Sequence, residues 1–177
     1  MGLFDIILLI IIAGFGLFGL WFGFIHTMGS LVGTVVGAFV ASRYYGSAAD
    51  VLVNITGWSE NVSRVLMFIL VFLVINRFVG FLFWTLEKTL RIAVRLPFIQ
   101  SINRILGLVL GVFEGLVTIG LILYVMEVFP ISDNISFMMA HSLVAPIALG
   151  ISEILLPLLP EGMRLLETGA STVESVI

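Results

Sequence analysis

The chain has 177 residues, of which 60% are hydrophobic and only 11% are charged, and its formal net charge is -3. A soluble domain carries about 25% charged residues, so this composition excludes a water-soluble globule and indicates one integral membrane domain over residues 1–177. The small net charge and the lack of a basic run argue against a nucleic-acid partner. The absence of cysteine excludes disulfides and thiolate metal sites.

The first two predicted spans follow each other with almost no break. Residues 6–25 are an uncharged run of twenty residues, and at about 1.5 Å per residue they can cross a hydrocarbon core of about 30 Å. His26 and Thr27 form the only polar break before a second apolar run, which we place at residues 28–45. So short a break predicts a tight helical hairpin, and one long bent helix is the alternative.

Two further spans follow a polar stretch. Residues 46–61 are predicted to form a loop or a short surface helix, residues 62–84 the third span, and residues 105–129 the fourth. The fold class is therefore an all-α membrane protein with about four transmembrane helices in a compact bundle. The tail, residues 130–177, contains an apolar segment that Pro146 breaks. We favour a re-entrant or interfacial segment there over a broken fifth span.

Small residues recur at every fourth position of two spans, and they predict close helix packing. The second span carries Gly29, Gly33, Gly37 and Ala41, and the fourth carries Gly107, Gly111 and Gly115. Such residues line one face of a helix and let two backbones approach each other, which is how helices associate in lipid. Two partners for these faces stay open: another helix of the same chain, or a second copy in a homo-oligomer.

The connection between the third and fourth spans is basic, with Lys88, Arg91, Arg95 and Arg104. The first three share one helical face, so they predict an amphipathic helix in the membrane plane with its cations on lipid headgroups. An ordinary basic loop is the alternative. Because basic loops stay in the cytoplasm, segment 85–104 is expected to be cytoplasmic and both termini to lie outside.

Two charged residues lie deep within the predicted spans. Arg77 in the third span and Glu114 in the fourth both lie roughly 10–14 Å from the inner boundary. Because a lone charge in hydrocarbon is costly, we predict an intramembrane ion pair between them, acting as a static lock or as a proton or ion relay. The alternative is that Arg77 snorkels to the surface. The sequence shows no catalytic, cofactor-binding or metal-binding constellation, so we predict no enzyme activity and no cofactor.

A short motif near the fourth span carries a family resemblance. Asn103, Arg104 and Gly107, with glycines at every fourth residue after them, are similar to an aspartate-arginine-x-x-glycine motif. Asp5 precedes the first span, and the pair Gly23-Phe24 precedes the first turn. In these features the chain resembles the bacterial colicin V production protein (CvpA) family over residues 4–129.

The chain departs from the family's pattern in the first turn, where it has Phe22 and His26 and the family often has basic residues, and at two further positions. Asn103 stands where the family usually has an aspartate, and Glu114 stands where it often has a basic residue. The resemblance implies an inner-membrane protein linked to colicin V production or export and to cell-envelope homeostasis. Envelope or export proteins are the partners that this role suggests, and membrane lipids are the partners expected from the basic connection and the apolar spans.

Two hypotheses of function remain open at this point. A non-enzymatic envelope protein that acts through helix packing predicts a closed, glycine-packed bundle. A small oligomeric channel or transporter predicts a polar cavity or pore faced by Arg77, Asn76 or Glu114. The scarcity of polar residues within the spans favours the first hypothesis.

Overall fold

The computed structural model describes the backbone of residues 2–90 and 97–158, and the side chains of residues 2–85 and 100–155. The helices are α1 (Leu3–Phe22), α2 (Phe24–Thr56), α3 (Glu60–Leu90), α4 (Pro97–Val128), α5 (Asp133–Ala140) and α6 (Ala145–Ser152), followed by a 3-10 helix (Glu153–Leu158). Four of them, α1 to α4, contain stretches long and apolar enough to cross a membrane. The predicted all-α class with about four spans is therefore confirmed.

A single residue, Gly23, separates α1 from α2. Its φ of 87° lies in the region that favours glycine, and the break falls three residues before the predicted one at His26. The two helices run in opposite directions. Gly19 faces Gly107, which sets α1 antiparallel to α4, whereas Tyr45 contacts Phe129, which sets α2 parallel to α4. The connection is thus a tight hairpin and not one bent helix.

The second helix continues well past the predicted end of its span. α2 has 33 residues and includes Gly46 to Thr56, so the loop predicted over residues 46–61 shrinks to residues 57–59. Polar residues lower the hydropathy of a segment without breaking a helix, and no proline interrupts this stretch. The helix stops at Gly57, which takes a left-handed conformation with φ 70°. At roughly 50 Å, α2 exceeds the thickness of a hydrocarbon core.

The basic connection also differs from the prediction. α3 continues as one helix to Leu90, so the first half of the predicted in-plane helix is an extension of the third span. Lys88 lies on this extension, and Arg91 and Arg95 lie outside the described residues. Pro97 begins α4 instead of ending the in-plane helix, which agrees with the preference of proline for the first helical turn.

The predicted break in the tail is present as a sharp bend. α5 and the segment Ala145–Leu155 meet at 90° across a short turn, as in a broken span or a re-entrant loop. Pro146 lies in the first turn of α6, where its missing N–H leaves no helical hydrogen bond unmade. α6 crosses α4 so closely that a Cβ on Gly120 would lie 1.9 Å from the Ala148 carbonyl oxygen.

The fourth helix lies at the centre of the bundle. Half of its most apolar window is buried, against 17% for α3. One side of α4 joins α2 and α3 in a cluster around Phe68, Phe72 and Leu121. The other side joins α1, α5 and α6 in a cluster around Ile12 and Leu123. α4 therefore brings residues from all the other helices near each other.

Candidate functional site

The glycine face of α4 packs against α1. A Cβ on Gly107 would lie 2.2 Å from the Gly19 carbonyl oxygen, and one on Gly111 would lie 2.4 Å from the Phe15 carbonyl oxygen. Gly115, one turn later, lies against the side chain of Phe15, at 3.0 Å from a Cβ built on it. Any side chain at Gly107 or Gly111 would push the two helices apart, so these glycines set the distance between α1 and α4.

The small residues of α2 pack against α3 in the same way. A Cβ on Gly29 would lie 2.5 Å from the Phe83 side chain, one on Gly33 would lie 2.6 Å from Asn76, and one on Gly37 would lie 3.1 Å from the Phe72 carbonyl oxygen. Ala41 on the same face is fully buried. Of the two partners left open by the sequence, the structure places another helix of the same chain against both glycine faces.

The tight helix contacts bring three polar side chains together around Glu114, which is buried near the middle of α4. Ser30 donates a hydrogen bond of 2.5 Å to Glu114 Oε1, and Thr34 donates one of 3.5 Å to the same oxygen. Asn76 Nδ2 donates in turn to Thr34 Oγ1 at 3.2 Å. Residues from α2, α3 and α4 thus form one hydrogen-bonded cluster.

The predicted ion pair between Arg77 and Glu114 is not formed. Within the described residues, the structure records no ion pair for either side chain, and Arg77 is exposed. Hydroxyl groups of α2 take the place expected for the guanidinium. The reason lies in the helix faces: Asn76, and not its neighbour Arg77, points toward α2, where it approaches Gly33.

Glu114 and Arg77 nevertheless line the same cavity, which we call the central crevice. It has a volume of about 450 Å³ and lies between α1 and α3, with α2 and α4 behind it. Its walls are formed by Phe15, Phe18, Phe22, His26, Ser30, Leu73, Asn76, Arg77, Gly80, Phe81, Trp84 and Glu114. A second cavity of about 460 Å³ extends along α1 and α2 and also reaches Glu114. Glu114 is thus the carboxylate among the residues that line the central crevice, most of which are aromatic or polar.

A second buried carboxylate, Asp5, ties the start of α1 to the bend between α5 and α6. Its Oδ1 accepts hydrogen bonds from the Ser142 hydroxyl at 2.5 Å, from the Leu143 N–H at 3.0 Å and from the Val144 N–H at 3.3 Å. The Ser142 hydroxyl oxygen in turn accepts from the N–H of Ala145 at 2.9 Å. Asp5 therefore satisfies two N–H groups of the turn that leads into α6, and Ser142 satisfies the N–H of the first residue of α6.

The sequence reasoning noted Asp5 only as part of a motif and missed this role. The available signal was a serine, Ser142, a few residues before a proline, since serine in a turn often accepts hydrogen bonds from the backbone N–H groups that follow it. The residues around Glu114 that it missed are Ser30 and Thr34, and isolated hydroxyls in apolar helices carry no comparable signal.

The motif around Asn103 stabilises the hairpin between α1 and α2. Asn103 Oδ1 accepts a hydrogen bond of 3.2 Å from the Phe24 N–H, which is one of the free donors at the start of α2. A Cβ on Gly23 would lie 2.1 Å from Asn103 Nδ2, so the turn fits closely against this side chain. Arg104, the next residue, is exposed.

Comparison with known families decides the family of the chain. The model of the colicin V production protein family matches residues 4–153. The chain belongs to the colicin V production protein family. The match extends past Phe129, the end of the resemblance found in the sequence motifs, and covers α5 and α6. Both residues of the Asp5–Ser142 contact therefore lie within it. Members of this family are linked to colicin V production, and it is not a known enzyme family. Neither curated proteins nor solved structures give a match.

Proposed function

We propose that this member of the colicin V production protein family is an inner-membrane protein that supports colicin V export and cell-envelope homeostasis without chemistry of its own. The family match over residues 4–153 carries the proposal. In the proposed placement, segment 85–104 is cytoplasmic and both termini lie on the opposite side, as the positive-inside rule predicts.

The buried polar groups support a mode of action through packing. Asp5 holds the turn that leads into α6, Asn103 holds the first hairpin, and Glu114 accepts from two hydroxyls. Within the described residues, the hydrogen bonds recorded for these three side chains go to the protein's own backbone and side chains. α3 is the least buried span, and its outer face is the surface that we assign to contacts with lipids, with envelope or export proteins, or with a second copy.

A gene-deletion strain that carries the colicin V operon tests the proposal. We expect secreted toxin to fall on a sensitive lawn while toxin inside the cell, measured by immunoblot, stays equal or rises. Sensitivity to detergent and to vancomycin should increase in the same strain. The wild-type gene should restore both phenotypes, and a variant with a separated α1–α4 contact, Gly107→Leu, should restore neither. Unchanged secretion and unchanged envelope sensitivity would refute the proposal.

A small channel or transporter is the second candidate, and the central crevice is the observation that favours it. This candidate expects Arg77, Asn76 or Glu114 to face a cavity, and all three line the crevice. Ion flux into proteoliposomes separates the two candidates. A flux that Glu114→Gln abolishes would favour the transporter, and the absence of flux in protein that restores secretion in cells would favour the packing role.

A further inference from the structure

Glu114 is a carboxylate whose charge the described residues do not balance. It is 3% exposed and lies near the middle of a helix that spans the membrane. Both hydroxyl donors bond to Oε1. For Oε2 the structure records no donor among the described residues, and no cation of those residues lies within ion-pair distance of the carboxylate. A buried carboxylate of this kind favours a positive partner, because burial without one is costly.

The space in front of this carboxylate has the size and the walls of a ligand site. A volume of about 450 Å³ falls within the range of small-molecule pockets. Three phenylalanines of α1 form one wall, namely Phe15, Phe18 and Phe22, and Phe81 and Trp84 of α3 form the other. The faces of aromatic rings carry partial negative charge and attract organic cations.

The position of the crevice restricts what can reach it. Phe18 and Phe81 are both more than half exposed, and they lie on spans that face lipid, so the mouth opens toward the bilayer. A ligand that enters from there must be soluble in hydrocarbon apart from its charge. Arg77 lines the same crevice, so an anionic ligand is the competing expectation. The test has to distinguish a cationic from an anionic ligand.

We propose that the central crevice binds a lipophilic organic cation, whose charge pairs with Glu114 and whose apolar groups pack between the aromatic side chains of α1 and α3. Arg77 lines the same crevice and repels any cation, so the aromatic walls have to supply the additional attraction. A small hydrated cation gains little from these walls, whereas a lipophilic organic cation packs against them. The inference does not depend on the link to colicin V.

Two probes of equal shape and opposite charge, tetraphenylphosphonium and tetraphenylborate, test the proposal. Binding is measured by equilibrium dialysis with the full-length protein in lipid nanodiscs, and empty nanodiscs correct for partition into lipid. Tetraphenylphosphonium should bind saturably. Glu114→Gln, which keeps the size and an acceptor for Ser30, should weaken its binding by about tenfold or more, the loss expected for one charge interaction of about 1.4 kcal/mol.

Two further variants test whether the probe binds in the crevice. Glu127→Gln changes an exposed carboxylate on the same helix and should leave binding unchanged. Phe18→Ala removes an exposed wall residue at little cost to folding, and it should weaken binding severalfold even if Glu114→Gln does not fold. Three results would overturn the proposal: no saturable binding above empty nanodiscs, tighter binding of tetraphenylborate that Arg77→Gln abolishes, or equal binding of the cation to all variants.

Discussion

Replacing Gly19 by alanine should separate α1 from α4. A Cβ at this position would lie 2.0 Å from the Gly107 carbonyl oxygen and 2.7 Å from its carbonyl carbon. Both atoms belong to helix backbone and cannot rotate away. Restoring an ordinary contact therefore moves the helices apart by roughly 1.4 Å, and a gap of this size forfeits more than about half of the dispersion energy of the atoms that it separates.

The expected cost is that of overpacking, about 1–3 kcal/mol, reduced by the gain of up to about 1 kcal/mol that alanine brings to a helix interior. With the full gain, we expect a net loss of up to about 2 kcal/mol. Gly14→Ala is the matched control, because it lies five residues earlier on the same helix and has nothing within 4 Å of its Cβ position. The control should be neutral or stabilised by up to about 1 kcal/mol.

The free energy of unfolding can be measured by titrating detergent-solubilised protein with dodecyl sulfate and following the near-UV circular dichroism of the aromatic residues. The two variants share the same chemical change, so the difference between them reports only the close approach at Gly19. If Gly19→Ala unfolds at the same dodecyl sulfate fraction as Gly14→Ala, the α1–α4 contact is looser than the structure indicates, and the argument from the glycine face fails.

Three further predictions follow from other contacts. Asp5→Ala should leave the N–H groups of Leu143 and Val144 without their acceptor, at a cost of about 1–3 kcal/mol, and speed amide exchange in the turn ahead of α6. Unchanged exchange there would contradict the role of Asp5. Asn103→Leu removes the acceptor of the Phe24 N–H and should cost about 1–2 kcal/mol; equal stability of the variant and wild type would remove Asn103 from the hairpin. The chain lacks cysteine, so single cysteines can report the orientation. Ser59→Cys should react with an impermeant maleimide on intact spheroplasts, whereas Gln100→Cys should react only after lysis. The reverse pattern would invert the proposed orientation.

The number of spans could be predicted from the sequence because it is a property of each segment taken alone. The run of residues 6–25 has no charged residue, and the transfer free energy of such a run into lipid depends little on what lies beside it. Close helix packing at Gly107 and Gly111 could also be predicted from the sequence, because the absence of a side chain at these positions is what lets two helix backbones approach each other. A short motif around Asn103 was also enough to indicate the family that the match over residues 4–153 shows.

The ends of the helices required the structure because hydropathy and helix formation are separate properties. Residues 46–56 are polar enough to leave the hydrocarbon, yet they stay helical as part of α2. The helix ends at Gly57 because the backbone turns left-handed there, a conformation that glycine adopts at little cost. The break in the tail was predicted at Pro146, but the bend lies ahead of the proline, between the end of α5 and the start of α6.

The partners of the buried carboxylates were decided by tertiary structure alone. Ser30 and Glu114 are 84 residues apart, and Ser142 and Asp5 are 137 residues apart. Whether Asn76 or Arg77 faces α2 depends on the rotation of α3 about its axis, and one residue corresponds to about 100° of that rotation. The charge of Glu114 and its depth in the span predicted that it needs a partner. The relative rotation of three helices determined that two hydroxyls bind it and that it faces an open crevice.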